Sequence, residues 1–176
     1  MTGLKLVKPS RKYGRSWEKA LAEFEAEERS GFWNFPEKPK NIAEYIKRDK
    51  NYSKGLDLPS HMVQATTFWL VENDEFIGHV NIRHELNKRL KIIGGNIGYT
   101  IRPEYRGKGY GTKLLTLALQ KAQKIGLKRA LLTCDDDNLA SARIIEKHNG
   151  IWERTFEVDG RLIRHYWIDL KKAQKA

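Results

Sequence analysis

Residues 102–115 read RPEYRGKGYGTKLL. Gly107, Gly109 and Gly111 alternate with Lys108 and Tyr110, and apolar spacing typical of a helix follows at once. Glycine weakens a helix start, so three of them here need a reason. Glycine lets a backbone take positive φ or approach another group closely. Two readings stand: a tight turn between strand and helix, or a cradle for an anion. A Walker A loop is absent, and the dinucleotide spacing G-x-G-x-x-G fails because the last glycine arrives one place early. The context is still that of an anion site. The β-branched, aromatic strand NIGYTIR (96–102) precedes the loop, and the helix TKLLTLALQKA (112–122) follows it. Free N–H groups at such a helix start, together with the helix dipole, favour negative charge. Arg106 and Lys108 add positive charge beside them.

Charge over the whole chain agrees with this focus. The 176 residues carry a formal +11, and residues 96–133 hold eight basic residues against Glu104 alone, a local +7. A basic field of this kind attracts a small polyanion or nucleic acid, or is simply a solvated helix surface. No nucleic-acid motif accompanies it, which argues against nucleic acid as a partner. The single cysteine, Cys134, has no internal disulfide partner, and His61, His79, His84, His148 and His165 are scattered without metal spacing. No metal is therefore expected. No apolar run approaches the roughly 20 residues of a membrane span, and the N-terminus lacks the apolar core of a signal peptide. The expectation is a reducing, cytoplasmic setting with no membrane partner.

Outward from the glycine loop, periodicity orders the chain as β-α-α-β-β-β-α-β-α-β-β, a mixed α/β sheet in a single domain over 1–176. Residues 3–8 give a first strand. Trp17, Leu21, Phe24 and Glu28 keep helical spacing, with Ser16 as N-cap and Gly31 as stop. Asn41 caps a second helix carrying Ile42, Tyr45 and Ile46. TTFWLVE (66–72) and FIGHVNIRH (76–84) flank a turn at Asn73-Asp74 and read as a hairpin. After the glycine loop, Leu114, Leu115, Ala118, Leu119, Ala122 and Ile125 form an amphipathic helix that Gly126 ends. RALLTC (129–134) is a buried strand. Asp137 or Asn138 caps the next helix, and Asp159-Gly160 turns a final hairpin.

The pattern Arg106-x-x-Gly109-x-Gly111, between that strand and that helix, resembles the acetyl-CoA signature [QR]-x-x-G-x-[GA] of the GNAT superfamily of N-acetyltransferases. The similarity continues through RALLTC and through Asn138 with Ser141 three residues on, which is similar to the family's N-x-x-[AS] segment. It covers about residues 66–170; residues 1–65 would be the variable helical part over the acceptor side. The resemblance implies a GNAT-fold enzyme that transfers an acetyl group from acetyl-CoA, its cosubstrate, to a primary amine by direct attack in a ternary complex. Arg106, Gly107, Lys108, Gly109, Tyr110, Gly111 and Thr112 would hold the CoA pyrophosphate. Thr100, Ile101 and Arg102 at the end of the motif strand, with Asn138 and Ser141, would hold the pantetheine arm between strands 96–102 and 129–134. An N–H near Thr100 or Ile101 would stabilise the oxyanion.

This sequence departs from the family in its proton-handling residues. The position at which the family often carries a general-acid tyrosine falls at Ile145 or Glu146, and the start of the motif strand reads Gly94-Gly95-Asn96, with no glutamate. His84, at a strand end, is the candidate base because imidazole titrates near neutrality; half-burial in a hydrogen bond is the competing reading. Tyr166 is the candidate acid, against a purely packed role. Cys134 as a covalent nucleophile does not suit direct transfer. The run Asp135-Asp136-Asp137 reads as a negative helix cap. The expected acceptor is a small-molecule or peptide amine, with a lysine side chain also open, and the expected assembly allows a homodimer. The rival function is a non-catalytic CoA-binding or RNA-binding basic module.

Overall fold

The computed structural model describes residues 3–27 and 38–171. Glu28 and Gly31, read above as part and stop of the first helix, lie outside the described residues. Strand β1 (Lys5–Val7) leads through a 3-10 turn, Arg11–Tyr13, into helix α1 (Gly14–Ala26). Helix α2 (Ile42–Tyr52) and strands β2 (Ala65–Glu72), β3 (Glu75–Arg83) and β4 (Ile97–Ile101) follow. Helix α3 (Tyr110–Ile125), strand β5 (Arg129–Asp135), helix α4 (Leu139–Lys147) and strands β6 (Ile151–Val158) and β7 (Arg161–Asp169) complete the order. This is the order expected from periodicity.

Local chemistry explains most boundaries. Asn73 and Asp74 take φ of 49° and 63°, the doubly left-handed turn whose twist suits a two-residue hairpin. Asp159 and Gly160 repeat it at 51° and 75°. The Asn41 side chain accepts the Glu44 N–H at 3.0 Å, and that of Asn138 accepts the Ser141 N–H at 3.1 Å; these are N-caps. Gly126 closes α3 at φ 107°. Ser16 is a correction. It lies inside α1, where its Oγ donates to Glu75 Oε2 at 2.6 Å and accepts the Phe76 N–H at 2.8 Å. A hydroxyl facing β3 satisfies buried groups there, so α1 begins earlier, after the 3-10 turn.

The strands form two sheets rather than one, in the orders β1-β2-β3-β4 and β5-β7-β6. One face of the first sheet packs on α1 and α2. There the Trp17 and Trp69 rings stack 5.9 Å apart, with Phe76 edge-on to Trp69 at 5.2 Å. The other face joins the second sheet in a core with α3 and α4, built from residues such as Leu70, Val80, Leu115, Leu132 and Ile145. Alternation along β3 divides its side chains between these layers: Val80 and Ile82 enter the α3 core, while Asn81 and Arg83 face the other way.

Candidate active site

The boundary between the two sheets is the central feature. Arg83 N–H donates to Asn96 O at 2.7 Å, and Arg102 N–H to Ile77 O at 2.9 Å. In an antiparallel ladder, bonded residues alternate, so Thr100, opposite His79, spends its backbone groups on β3. Ile97, Tyr99 and Ile101 turn theirs toward β5. Arg106 Nε reports the same direction by donating to Ile101 O at 3.0 Å. β5 meets β4 only at one end, where Asn96 N–H donates to Leu131 O at 2.7 Å. Gly95 allows that contact, since a Cβ on it would lie 2.3 Å from Leu131 O. From there the strands part, leaving a 220 Å³ cleft lined by Gly98, Tyr99, Cys134, Asn138, Ser141 and Ile145 among others. The alternation therefore selects Ile101, with Tyr99, over Thr100 as the source of a free strand N–H.

Beyond β4, the N-terminus of α3 lies beside Ile101 and Ile144, both of which come within 4 Å of a Cβ placed on Gly111. Gly107 and Gly109 hold φ of 72° and 81°, and a Cβ on either would meet nothing within 4 Å. Their shared property is left-handed backbone beside open space. No side chain caps α3, and the Lys113 N–H reaches back to Gly109 O at 3.3 Å. Gly111 differs, because its Cβ would lie 2.8 Å from Ile144 Cδ1. Its lack of a side chain lets α3 approach α4.

The basic residues of the motif divide. Arg102 is buried; its Nη2 donates to Glu23 at 2.6 Å and pairs with Glu104 at 3.1 Å, so its guanidinium ties β4 to α1 rather than facing the cleft. Glu23 beside it holds its pKa above the usual value. Arg106 grips Glu27 through two bonds of 2.7 and 2.9 Å. Lys108 has its Nζ 5.4 Å from the Tyr105 ring centroid, with no carboxylate partner among the described residues. Tyr110 donates its hydroxyl to Glu72 at 2.5 Å. Thr112 lies in the first turn of α3. Asp136 pairs with Arg164 at 2.6 Å and Asp135 with Arg161 at 3.4 Å, so two of the three aspartates serve β7 instead of capping α4.

Neither proton-transfer candidate is among the residues lining this cleft. His84 follows Ile82 onto the α3 face, where its Nε2 meets Thr66 Oγ1 at 2.9 Å, and burial lowers its pKa. Tyr166 is buried in the core and donates to Glu146 Oε1 at 3.0 Å; burial raises its pKa. Three hydroxyl residues do line the cleft: Tyr99 and Ser141, whose oxygens lie 3.1 Å apart, and Thr133, whose Oγ1 accepts the Gly94 N–H at 2.8 Å. Burial pushes Tyr99 up to about 12 and Cys134 up to about 11.

A second cavity of 350 Å³ opens on the α2 side of the sheet. Arg83 and Gly94 line both cavities, so the two meet there. Arg83 Nη1 donates to Gly94 O at 2.9 Å and Gly95 O at 3.2 Å. Among the described residues, Asp49 of α2 is the one carboxylate lining this cavity, and it is 5% exposed. Burial raises its pKa to about 6, opposed by its hydrogen bond to Thr67. Thr67 Oγ1 in turn accepts from Asn81 Nδ2 at 3.2 Å. Sequence reading missed Asp49, which in IKRDKN (46–51) looks like any solvated helix charge. It also missed Asn81 and Arg83, although alternation of His79, Asn81 and Arg83 with Val80 and Ile82 was the available signal.

Comparison with known proteins bears on this arrangement. A family model described as Acetyltransferase (GNAT) domain matches residues 15–150. The N-alpha-acetyltransferase 30 of Schizosaccharomyces pombe is 29% identical over 111 residues, 61% of this chain and 74% of that protein. Among solved structures, RimL, a ribosomal L7/L12 alpha-N-protein acetyltransferase in complex with coenzyme A joined to a cysteine by a disulfide, superposes with a TM-score of 0.70 at 15% identity, over 96% of this chain and 95% of that one. The Microcin C7 self immunity acetyltransferase MccE, in complex with acetyl-CoA and AMP, gives 0.68 at 16% identity, over 96% and 93%. At such identities the structural likeness is one of fold.

Proposed function

Since the chain belongs to the GNAT acetyltransferase family and transfers acetyl from acetyl-CoA to an amine, we propose how its residues divide that work. The pantetheine arm takes the cleft between β4 and β5, and the acceptor takes the cavity under α2. The observation that carries this is the parting of the two strands beside an uncapped, glycine-led helix start. Unbonded N–H groups of Tyr99 and Ile101 face the gap, and the first turn of α3 lies beside Ile101. Acetyl-CoA supplies an activated thioester; the chain supplies position and charge. The N–H of Gly109, Tyr110, Gly111 and Thr112, with Lys108, bind the diphosphate. Arg106 orients the loop through Glu27 and Ile101 O. Residues 1–65 cover the acceptor, a role supported by Asp49 and by His61 at its cavity.

In the reaction the amine nitrogen bonds to the acetyl carbon, the carbon–sulfur bond breaks, and the thiolate takes a proton. The Ile101 N–H meets the developing oxyanion. Asp49, rather than His84, accepts the ammonium proton, directly or through Thr67; a pKa near neutrality suits a general base. The Ser141 and Tyr99 hydroxyls, rather than that of Tyr166, deliver the proton to sulfur. No observation favours a non-catalytic or RNA-binding role. No helix among the described residues is long and apolar enough to cross a membrane. A second copy of the chain is proposed to pair along β6, where Ile151 is 73% and Trp152 58% exposed.

The cleft assignment is tested at Cys134, which lines it. Incubation with CoA disulfide is expected to join CoA to Cys134, read by mass spectrometry, and excess acetyl-CoA is expected to protect the thiol. If a small disulfide reagent labels Cys134 but CoA disulfide does not, the cleft is not where the CoA thiol lies.

A further inference from the structure

Arginine pairing singles out one residue. Five arginines among the described residues are not exposed: Arg48, Arg83, Arg102, Arg106 and Arg164. Four of them pair with a carboxylate, on Glu44, Glu23, Glu27 and Asp136 respectively, at 2.6 to 2.7 Å. Arg83 does not. It is half-buried, bonds two carbonyl oxygens, and shares its cavity with Arg89, an exposed arginine that also has no carboxylate partner among the described residues. A guanidinium away from bulk water without an anion is costly, and a planar fork matches a carboxylate through paired bonds. Burial and the like charge of Arg89 pull Arg83 down to about 10, which leaves it charged at neutral pH. Against these two cations the cavity offers one carboxylate, Asp49.

We infer that the acceptor is a primary amine carrying a carboxylate a few bonds from its nitrogen, and that Arg83 and Arg89 receive this carboxylate. The inference rests on the proposed assignment of the 350 Å³ cavity to the acceptor. Because Arg83 also borders the CoA cleft, the anion lies beside the reacting nitrogen rather than at a remote end. A polyamine, with cations throughout, meets two arginines and a single acid there, so like-charge repulsion disfavours it. A free amino acid and a peptide whose first residue is acidic present the same chemistry. The cavity is at the small end for ligand sites, about 300 Å³ and upward, so only the first residue or two of a peptide enter it.

The experiment measures acetyl transfer by the full chain to matched acceptors. One pair is a free amino acid and its amide. A second is a tripeptide amide beginning with Glu and its counterpart beginning with Gln, and spermidine stands alone. Because amides lower amine basicity, kcat/KM is compared both for total acceptor and for neutral amine, and the preference must hold on both scales. The carboxylate member of at least one pair is expected to show kcat/KM higher by about tenfold or more, and the responding pair identifies a free or a peptidic source. Arg89→Gln should remove most of that preference with the KM for acetyl-CoA unchanged, since Arg89 lines only the acceptor cavity. Equal use of both members of both pairs, or preference for spermidine, overturns the inference and leaves the acceptor cavity standing. A preference that survives in Arg89→Gln and also in a folded Arg83→Gln overturns it as well. Failure of CoA to reach Cys134 in the test above strikes instead at the reading beneath it.

Discussion

Asn96 bonds Leu131 twice, as a strand residue would, but with one bond from its side chain: its N–H donates to Leu131 O at 2.7 Å, and its Oδ1 accepts the Leu131 N–H at 2.9 Å. The side chain completes a ladder that the backbone leaves after one bond, so the two sheets are joined at this end and open at the other. Asn96→Ala would leave the buried Leu131 N–H unpaired. The expected loss is about 1–3 kcal/mol, read from urea unfolding, together with weaker CoA binding. An unchanged unfolding midpoint would mean that the sheets are held together elsewhere.

Gly109 and Gly111 should fail in different ways. Alanine at Gly109 must adopt φ near 81°, costing about 1–2 kcal/mol, and its methyl enters the space proposed for the diphosphate. Calorimetry should show weakened CoA binding. Alanine at Gly111 collides with Ile144 Cδ1, so it should reduce stability. Ile144→Val removes that atom and should restore much of the loss in the Gly111→Ala background. A double variant as unstable as Gly111→Ala would refute the packing role.

Salt should weaken CoA binding by screening, and Lys108 should account for more of the dependence than Arg106. Arg106 already spends its charge on Glu27 at 2.7 Å. Titrations across ionic strength should flatten in Lys108→Ala and keep most of their slope in Arg106→Ala. Equal slopes in all three proteins would contradict the assignment.

Asp49 links stability to pH in an unusual direction. Its folded pKa of about 6 lies above the ordinary 3.8. Its contribution is therefore fully present below the ordinary pKa and lost as pH rises through about 6, at most about 3 kcal/mol. Asp49→Asn should be stabilising at pH 8, with the gain fading toward pH 4, because the native state no longer carries a buried charge. The acetyl-transfer rate of the wild type should rise through pH 6, and the variant should lose that limb along with most of kcat. If kcat and the profile are retained, Asp49 is not the base.

Self-association is tested at the exposed end of β6. Ultracentrifugation of Trp152→Ser should show a weaker dimer than the wild type. Monomeric wild-type protein at micromolar concentration would exclude pairing along this strand.

The sequence by itself determined what depends on neighbours along the chain. The two hairpin turns, the Asn41 and Asn138 caps, the Gly126 stop and the left-handed Gly109 follow from backbone preferences acting over a few residues. Periodicity ordered the strands and helices for the same reason. Only the tertiary structure decided where side chains end. Arg102 meets Glu23 and Arg106 meets Glu27, each across 79 positions, and no local rule distinguishes an arginine that will find a carboxylate from one that will not. His84 was legible as a strand end. The side of the sheet that faces the cavity was not, because period-two alternation separates two faces without saying which layer covers each. Asp49 came to line the cavity only when α2 carried it onto Thr67, and burial, not identity, raised its pKa.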